Sequence, residues 1–244
     1  SLLFALLLPP TLPLPWVTLG MGVGASIAYL IALDDDRLML HPAALAWLFL
    51  LFVIPEKMSG DTVWTVADGF VGATPLALVR EGGIATLNAA GITWWDLFIG
   101  RVQGATGEVP VAALLVGAVY LLVTRKISWR LIVGVIAGLV SASFLFNLAG
   151  SSSNPMNGVP WYWHAVLGSL VLGCVFVAAD PLIMDLNDTA AMLCGVVLGS
   201  LVVSLRVLNP AYPDGVMFAI LLMMLGSGII RFFVLSLNRP SVAG

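Results

Sequence analysis

Charge is what this sequence has least of. Asp, Glu, Lys and Arg make up only 9% of its 244 residues, while 60% are hydrophobic and the mean hydropathy is +1.06. Soluble domains carry about a quarter charged residues, so a soluble globular fold is excluded and an integral membrane protein is implied. The alternation of apolar and polar residues that marks a barrel strand is also missing. Several uninterrupted apolar runs instead reach the roughly 20 residues that cross about 30 Å of hydrocarbon. The sequence therefore predicts an all-α fold, a polytopic membrane helical bundle.

Other scarcities narrow the choice further. Ten basic and 13 acidic residues leave a net charge of −3, too small and too scattered for a nucleic-acid surface or a polybasic lipid anchor. The expected partners are lipid and other membrane subunits, not nucleic acid. Cysteine occurs twice, at Cys174 and Cys194, inside apolar runs and without metal-ligand spacing, which excludes a disulfide scaffold and leaves core packing. Histidine also occurs twice, at the distant positions His41 and His164, and no metal centre is assigned. His164 follows Trp161 and Trp163 at the start of a span, the composition of an interfacial aromatic belt. The opening SLLFALLLPPTLPLP has neither Met nor the basic n-region of a signal peptide. It reads as the end of an earlier helix stopped by Pro9 and Pro10, as if the sequence were the latter part of a longer protein or a short version of one.

Apolar spans are expected at about 15–33, 42–55, 109–124, 130–148, 161–179, 189–207 and 214–236, seven crossings within one membrane domain covering 1–244. The run 42–55 is short and ends at Pro55, so a re-entrant placement stays open. Between 56 and 108 lies a glycine-rich stretch, too long for a turn, that carries apolar pieces such as TPLALV and WWDLFIG. A partly embedded functional loop region is expected there, because irregular backbone at membrane depth survives only when buried in protein or facing a cavity. Arg125, Lys126 and Arg130 form the one cluster of positive charge, which places their turn in the cytoplasm. Alternation then sends DPLIMDLND and the C-terminus to the cytoplasmic side of a bacterial inner membrane. The stretch 56–108, GSSSNPMNGVP and NPAYPDG fall on the periplasmic side. No internal repeat is evident.

In so apolar a chain the polar residues stand out. DGFVGATPLALV, residues 68–79, gathers Asp68, Gly72, Ala73 and Thr74 ahead of Pro75. A threonine among small residues is open to a large group, or it is a loop hydroxyl bonded to nearby backbone. Asp180 follows a span and precedes Pro181, which suits ending a helix as well as binding a cation. Glu108 closes GATGE at the start of a span, as a capping charge or as part of ion transfer. Arg206, one turn before Asn209 and Pro210, can pair with a carboxylate, snorkel or contact a phosphate.

SGDTVWTVADGFVGATPLALVREGGI resembles the flavin-attachment segment of the NqrB/RnfD family, the membrane subunits shared in kind by the sodium-pumping NADH:quinone oxidoreductase (Nqr) and the Rnf complex. WWDLFIGRVQGATGEVP, ISWRLIVG, SSSNPMNGVPWYWH, AADP and RVLNPAYPDGVMFAI follow in the family's order and spacing, so the resemblance is nearly continuous from about 58 to 224. It implies FMN bound covalently through a phosphoester to Thr74, the last residue of a D-x-x-[ST]-G-A-T motif whose first is Asp68. Gly72, Ala73 and Arg206 join them as implied cofactor-binding residues, with riboflavin or a second flavin as a further implied cofactor. A pathway for Na+ or H+ is implied along 161–179 and 189–207. It would use Asp180 at the family's DP position, Glu108, and Leu170 and Leu172 where the family's narrow point is aromatic. A second covalently flavinylated subunit on the periplasmic side is the implied partner. The function so implied is that of a flavin-carrying integral membrane subunit of an Nqr- or Rnf-like ion-translocating oxidoreductase, with both complexes left open.

The chain also departs from the family. Val71 stands where the motif has a hydroxyl residue, LDDDRLMLHPAALAW keeps only Pro42 and Ala43 of a glycine- and asparagine-rich segment, and Arg231 replaces an acidic residue of the last span. Two other readings therefore stay in view: a redox-inactive relative serving as a structural or accessory subunit, and a channel-like permease.

Overall fold

The apolar runs fold as helices packed side by side, as seen in a computed structural model that describes residues 2–34, 40–58, 73–105, 107–151, 154–180, 186–209 and 214–237. All regular structure among these residues is helical. After a short α1 (Leu2–Leu6), helices α2 (Leu14–Asp34) and α3 (Pro42–Val53) pack against each other as a hairpin. Pro42 sits at the first position of α3, where its missing N–H costs nothing, and the preceding His41 accepts the Ala43 N–H on Nδ1 at 3.1 Å. The expected loop region is largely helical where described. It contains α4 (Pro55–Met58), α5 (Pro75–Gly82), α6 (Ile84–Ala89) and α7 (Trp94–Ile99), the last closed at its start by a reciprocal Thr93–Asp96 capping box. Then follow α8 (Val111–Val123), α9 (Trp129–Ala149), a 3-10 turn at Pro155–Gly158, α10 (Trp161–Val166), α11 (Leu170–Leu172), α12 (Asp188–Leu208) and α13 (Val216–Leu237).

The centre of the bundle is the pair α9 and α12, 21 residues each. Both are apolar around their whole circumference, so polarity cannot choose the buried face; residue size does. Gly134 and Gly138 of α9 meet Gly195 and Gly199 of α12 in a parallel register that lets the two backbones touch. A Cβ on Gly134 would fall 2.3 Å from the Met192 carbonyl oxygen, and one on Gly199 would fall 2.2 Å from that of Val135. Val135, Leu139, Leu198 and Val202 fill the seam beside them. On the outer faces Phe144, Leu145 and Leu148 of α9 and Ile229, Phe232 and Phe233 of α13 stand exposed, as suits side chains facing lipid tails.

All seven expected apolar segments form helix, with two adjustments. Four helices among the described residues are long and apolar enough to cross a membrane (Leu14–Leu33, Trp129–Ala149, Asp188–Leu208 and Val216–Val234), while α3 and α8 are shorter, at 12 and 13 residues. The span expected at 161–179 is not continuous. It stops after Val166, breaks at Leu167–Ser169, and resumes as α11, which runs on into a wider π-helical turn at Gly173–Ala178.

Hydrogen bonds and charged contacts sort the connections into two ends. At one, Arg130 pairs with Asp188 at 2.6 Å and His41 lies 4.0 Å from Asp180. At the other, Asn154 Nδ2 donates to the Val207 carbonyl at 2.7 Å, Trp94 Nε1 to that of Tyr162 at 3.0 Å, and Gly107 N to that of Leu6 at 2.9 Å.

Candidate functional site at the broken helix

Thr74 is the N-cap residue of α5. Its backbone is extended (φ −66°, ψ 153°), Pro75 follows at the first helical position, and Oγ1 accepts the Ala77 N–H at 3.3 Å. The bond to nearby backbone that the sequence allowed is thus formed, and it uses the oxygen only as an acceptor. Ala73 precedes the cap; Asp68, Val71 and Gly72 lie outside the described residues.

Half-buried, Thr74 lines a narrow cleft of about 20 Å3 together with Gln103, Glu108, Val166 and Gly168. That is room for a water molecule and no more. The cleft therefore joins the candidate attachment residue, one ion-pathway candidate and the break in the 161–179 span.

Arg206 builds the break. Although it sits in the last turn of α12, its side chain is among the largest fully buried in the chain. Nη1 donates to the carbonyl of His164 at 2.7 Å and Nη2 to that of Leu167 at 2.6 Å, satisfying the carbonyls left open where α10 ends. Nη2 also lies 3.5 Å from Oδ1 of Asp214, whose Oδ2 accepts the Ser169 hydroxyl at 2.6 Å and the Ser169 N–H at 3.3 Å. Gly168 turns the chain at φ +64°, and a Cβ there would fall 2.6 Å from Asp214 Oδ1. Glycine is required on both counts. Of the three readings of Arg206, the carboxylate pair is the one its geometry forms.

Glu108 lies in the turn before α8, outside the spanning helices, partly open to the cleft and otherwise packed by protein. That packing first, and the charge of Asp214 second, lift its carboxyl above the ordinary carboxylate range. Asp180 belongs to the opposite end of the molecule, beside His41, whose imidazole burial holds below its ordinary value while Asp180 pulls the other way. The ion-pathway candidates are thus brought together only in part: Glu108 at the cleft, Leu170 and Leu172 buried just beyond the break, and Asp180 at the far end. His164 departs from the expected aromatic belt. Trp161 and Tyr162 are exposed, but His164 is fully buried and neither ring nitrogen has a hydrogen-bond partner among the described residues. It lies on the inner side of α10 with Trp163, a side that composition alone does not reveal.

Asp214, Ser169 and Gly168 were not singled out in the sequence. The available signal was the Gly-Ser pair interrupting an apolar run, a pattern that marks discontinuous spans in transporters.

These features define a polytopic helical membrane protein in which a discontinuous span, pinned by a buried arginine, meets a capped helix outside the spans. The chain belongs to the NQR2, RnfD, RnfE family, whose profile matches residues 1–238. Relatives that carry the name of the B subunit of Na(+)-translocating NADH-quinone reductase are similar over 238 residues, or 98% of this chain: 44% identical in Pseudomonas aeruginosa (strain LESB58), 42% in Azotobacter vinelandii and 42% in Chromohalobacter salexigens. The chain spans 59% of the length of the first two and 58% of the third. The similarity thus runs beyond the stretch 58–224 on which the sequence motifs lie.

Proposed function

We propose that this chain is the flavin-carrying membrane subunit of an Nqr-like ion-translocating oxidoreductase, with FMN esterified to Thr74 and a cation path along the broken span. The name its relatives carry supports the Nqr assignment, and the position of Thr74 at a helix N-terminus supports the cofactor. That position is the observation the proposal rests on. A phosphate on Oγ1 would meet the N–H of Leu76 and the positive end of α5, while the ester oxygen keeps its capping bond to Ala77. Glu108 is compatible with a phosphate nearby because its raised pKa keeps it neutral over a wider pH range. A cleft of about 20 Å3 excludes the flavin ring, which would lie outside it and open to a neighbouring redox subunit on the periplasmic side.

Bound there, FMN supplies one- and two-electron chemistry. The chain's own residues hold and gate. Thr74 and the first turn of α5 fix the phosphate, and Arg206, Asp214 and Ser169 fix the break that forms one wall of the cleft. Leu170 and Leu172 form an apolar constriction on the α11 side of that break, and Glu108 is a carboxyl able to hold or release a proton beside it. Asp180 with His41 would serve the cytoplasmic mouth.

A structural subunit without flavin is the second reading, favoured by Val71 in the attachment motif. Ultraviolet fluorescence of the denatured band separates the two. The wild-type chain made in its native host should fluoresce, Thr74→Ser should keep the signal and Thr74→Val should lose it. A dark wild-type band would instead support the structural reading.

A further inference from the structure

The turn joining α8 to α9 opens onto a cleft of about 640 Å3 at the end of the molecule opposite Thr74, bounded on its other side by the start of α12. Arg125, Lys126 and Arg130 line it against one carboxylate among the described lining residues, that of Asp188. Asp188 engages Arg130, which also lies over the Trp129 ring with its guanidinium carbon 4.8 Å from the centroid. Arg125 and Lys126 have no acidic counterpart among the described lining residues beyond the Asp188 that engages Arg130, and both are exposed. Ser128 precedes α9 without a side-chain capping bond, so the first-turn amides of a 21-residue helix add their positive end to the cleft. Arg125 has φ +55°, the one non-glycine residue with positive φ among those described. Glycine would hold that conformation at lower cost, yet the chain keeps a cation there.

We propose that this cleft binds the phosphodiester headgroup of an anionic phospholipid. Paired basic side chains and open amides recognise the phosphate oxygens, as in other basic pockets between spans. The apolar part of the lining, Leu122 and Leu131, continues onto exposed Val119 and Val123 of α8, where acyl chains can lie. That continuity selects a lipid over free phosphate. Trp129, largely exposed at the rim, sits at headgroup level. A signal for membrane orientation needs only positive charge near a span end; it does not need a shaped cleft, an uncapped helix and a left-handed arginine.

Native mass spectrometry of the full chain, with phosphatidylglycerol and phosphatidylcholine supplied at equal concentration, tests the site. Phosphatidylglycerol should be retained preferentially. The preference should fall roughly fivefold for each basic residue removed in Arg125→Gly and Lys126→Gln. Arg125→Gly should melt no lower than wild type, which separates lost binding from lost folding, and Lys57→Gln, outside the cleft, should change nothing. Equal retention of both lipids, an undiminished preference in the double variant, or displacement of the lipid by inorganic phosphate would each overturn the proposal. None of these outcomes depends on flavin.

Discussion

Arg206 shows how one residue can be costly and still fix a structure. Taking a guanidinium out of water costs several kcal/mol, and here the cost is offset by two carbonyls and Asp214. Arg206→Leu leaves those carbonyls unpaired and the Asp214 carboxylate without its cation, held by Ser169 alone, and thermal unfolding in detergent should register a loss of about 3–5 kcal/mol. The double change Arg206→Leu with Asp214→Leu should recover part of it, since a matched apolar pair strands no charge. Glu108 supplies a second test at this scale. Its folded-state pKa is raised above the ordinary 4.5, so the folded chain keeps a proton that the unfolded chain has released. The contribution to stability is full below 4.5 and is lost as pH rises through the raised value. The melting temperature should therefore fall between about pH 5 and pH 8 in the wild-type chain, and Glu108→Gln should flatten that slope.

Between elements, the α9–α12 contact is decided by what is absent. Gly134→Ala drives a Cβ into a backbone carbonyl that no rotamer can move aside, and should cost roughly 1–3 kcal/mol in a detergent melt. Gly226→Ala in α13 meets nothing within 4 Å and should be neutral or slightly stabilising. The same distinction explains what the sequence disclosed. Run length and apolarity were enough to find seven helical segments, because crossing hydrocarbon leaves the backbone little alternative. They could not find the break at 167–169: the Gly-Ser pair permits it, but Arg206 and Asp214, distant in sequence, hold it open. The helices in 55–99 were missed for a similar reason, being short and capped locally by Thr74 and Thr93 rather than marked by long apolar runs.

For the molecule as a whole, the orientation proposed from the cluster of Arg125, Lys126 and Arg130, with that end in the cytoplasm, is open to a direct test. Cys174 and Cys194 are buried, so a membrane-impermeant thiol reagent should report introduced cysteines alone. Thr124→Cys should be labelled only when the cytoplasmic face is opened, and Asn88→Cys in sealed spheroplasts; the reverse pattern would invert the assignment. Thr74 was legible through its motif, and Glu108 through its position before a span. Their meeting with Gly168 in one cleft was not legible, since it depends on α5 folding back over the broken span. The account rests on Thr74 carrying FMN, and the intact mass of the protein purified from its native host addresses that most directly. A mass raised by one esterified FMN, localised to the peptide containing Thr74, is expected. An unmodified Thr74 peptide at full yield would contradict it.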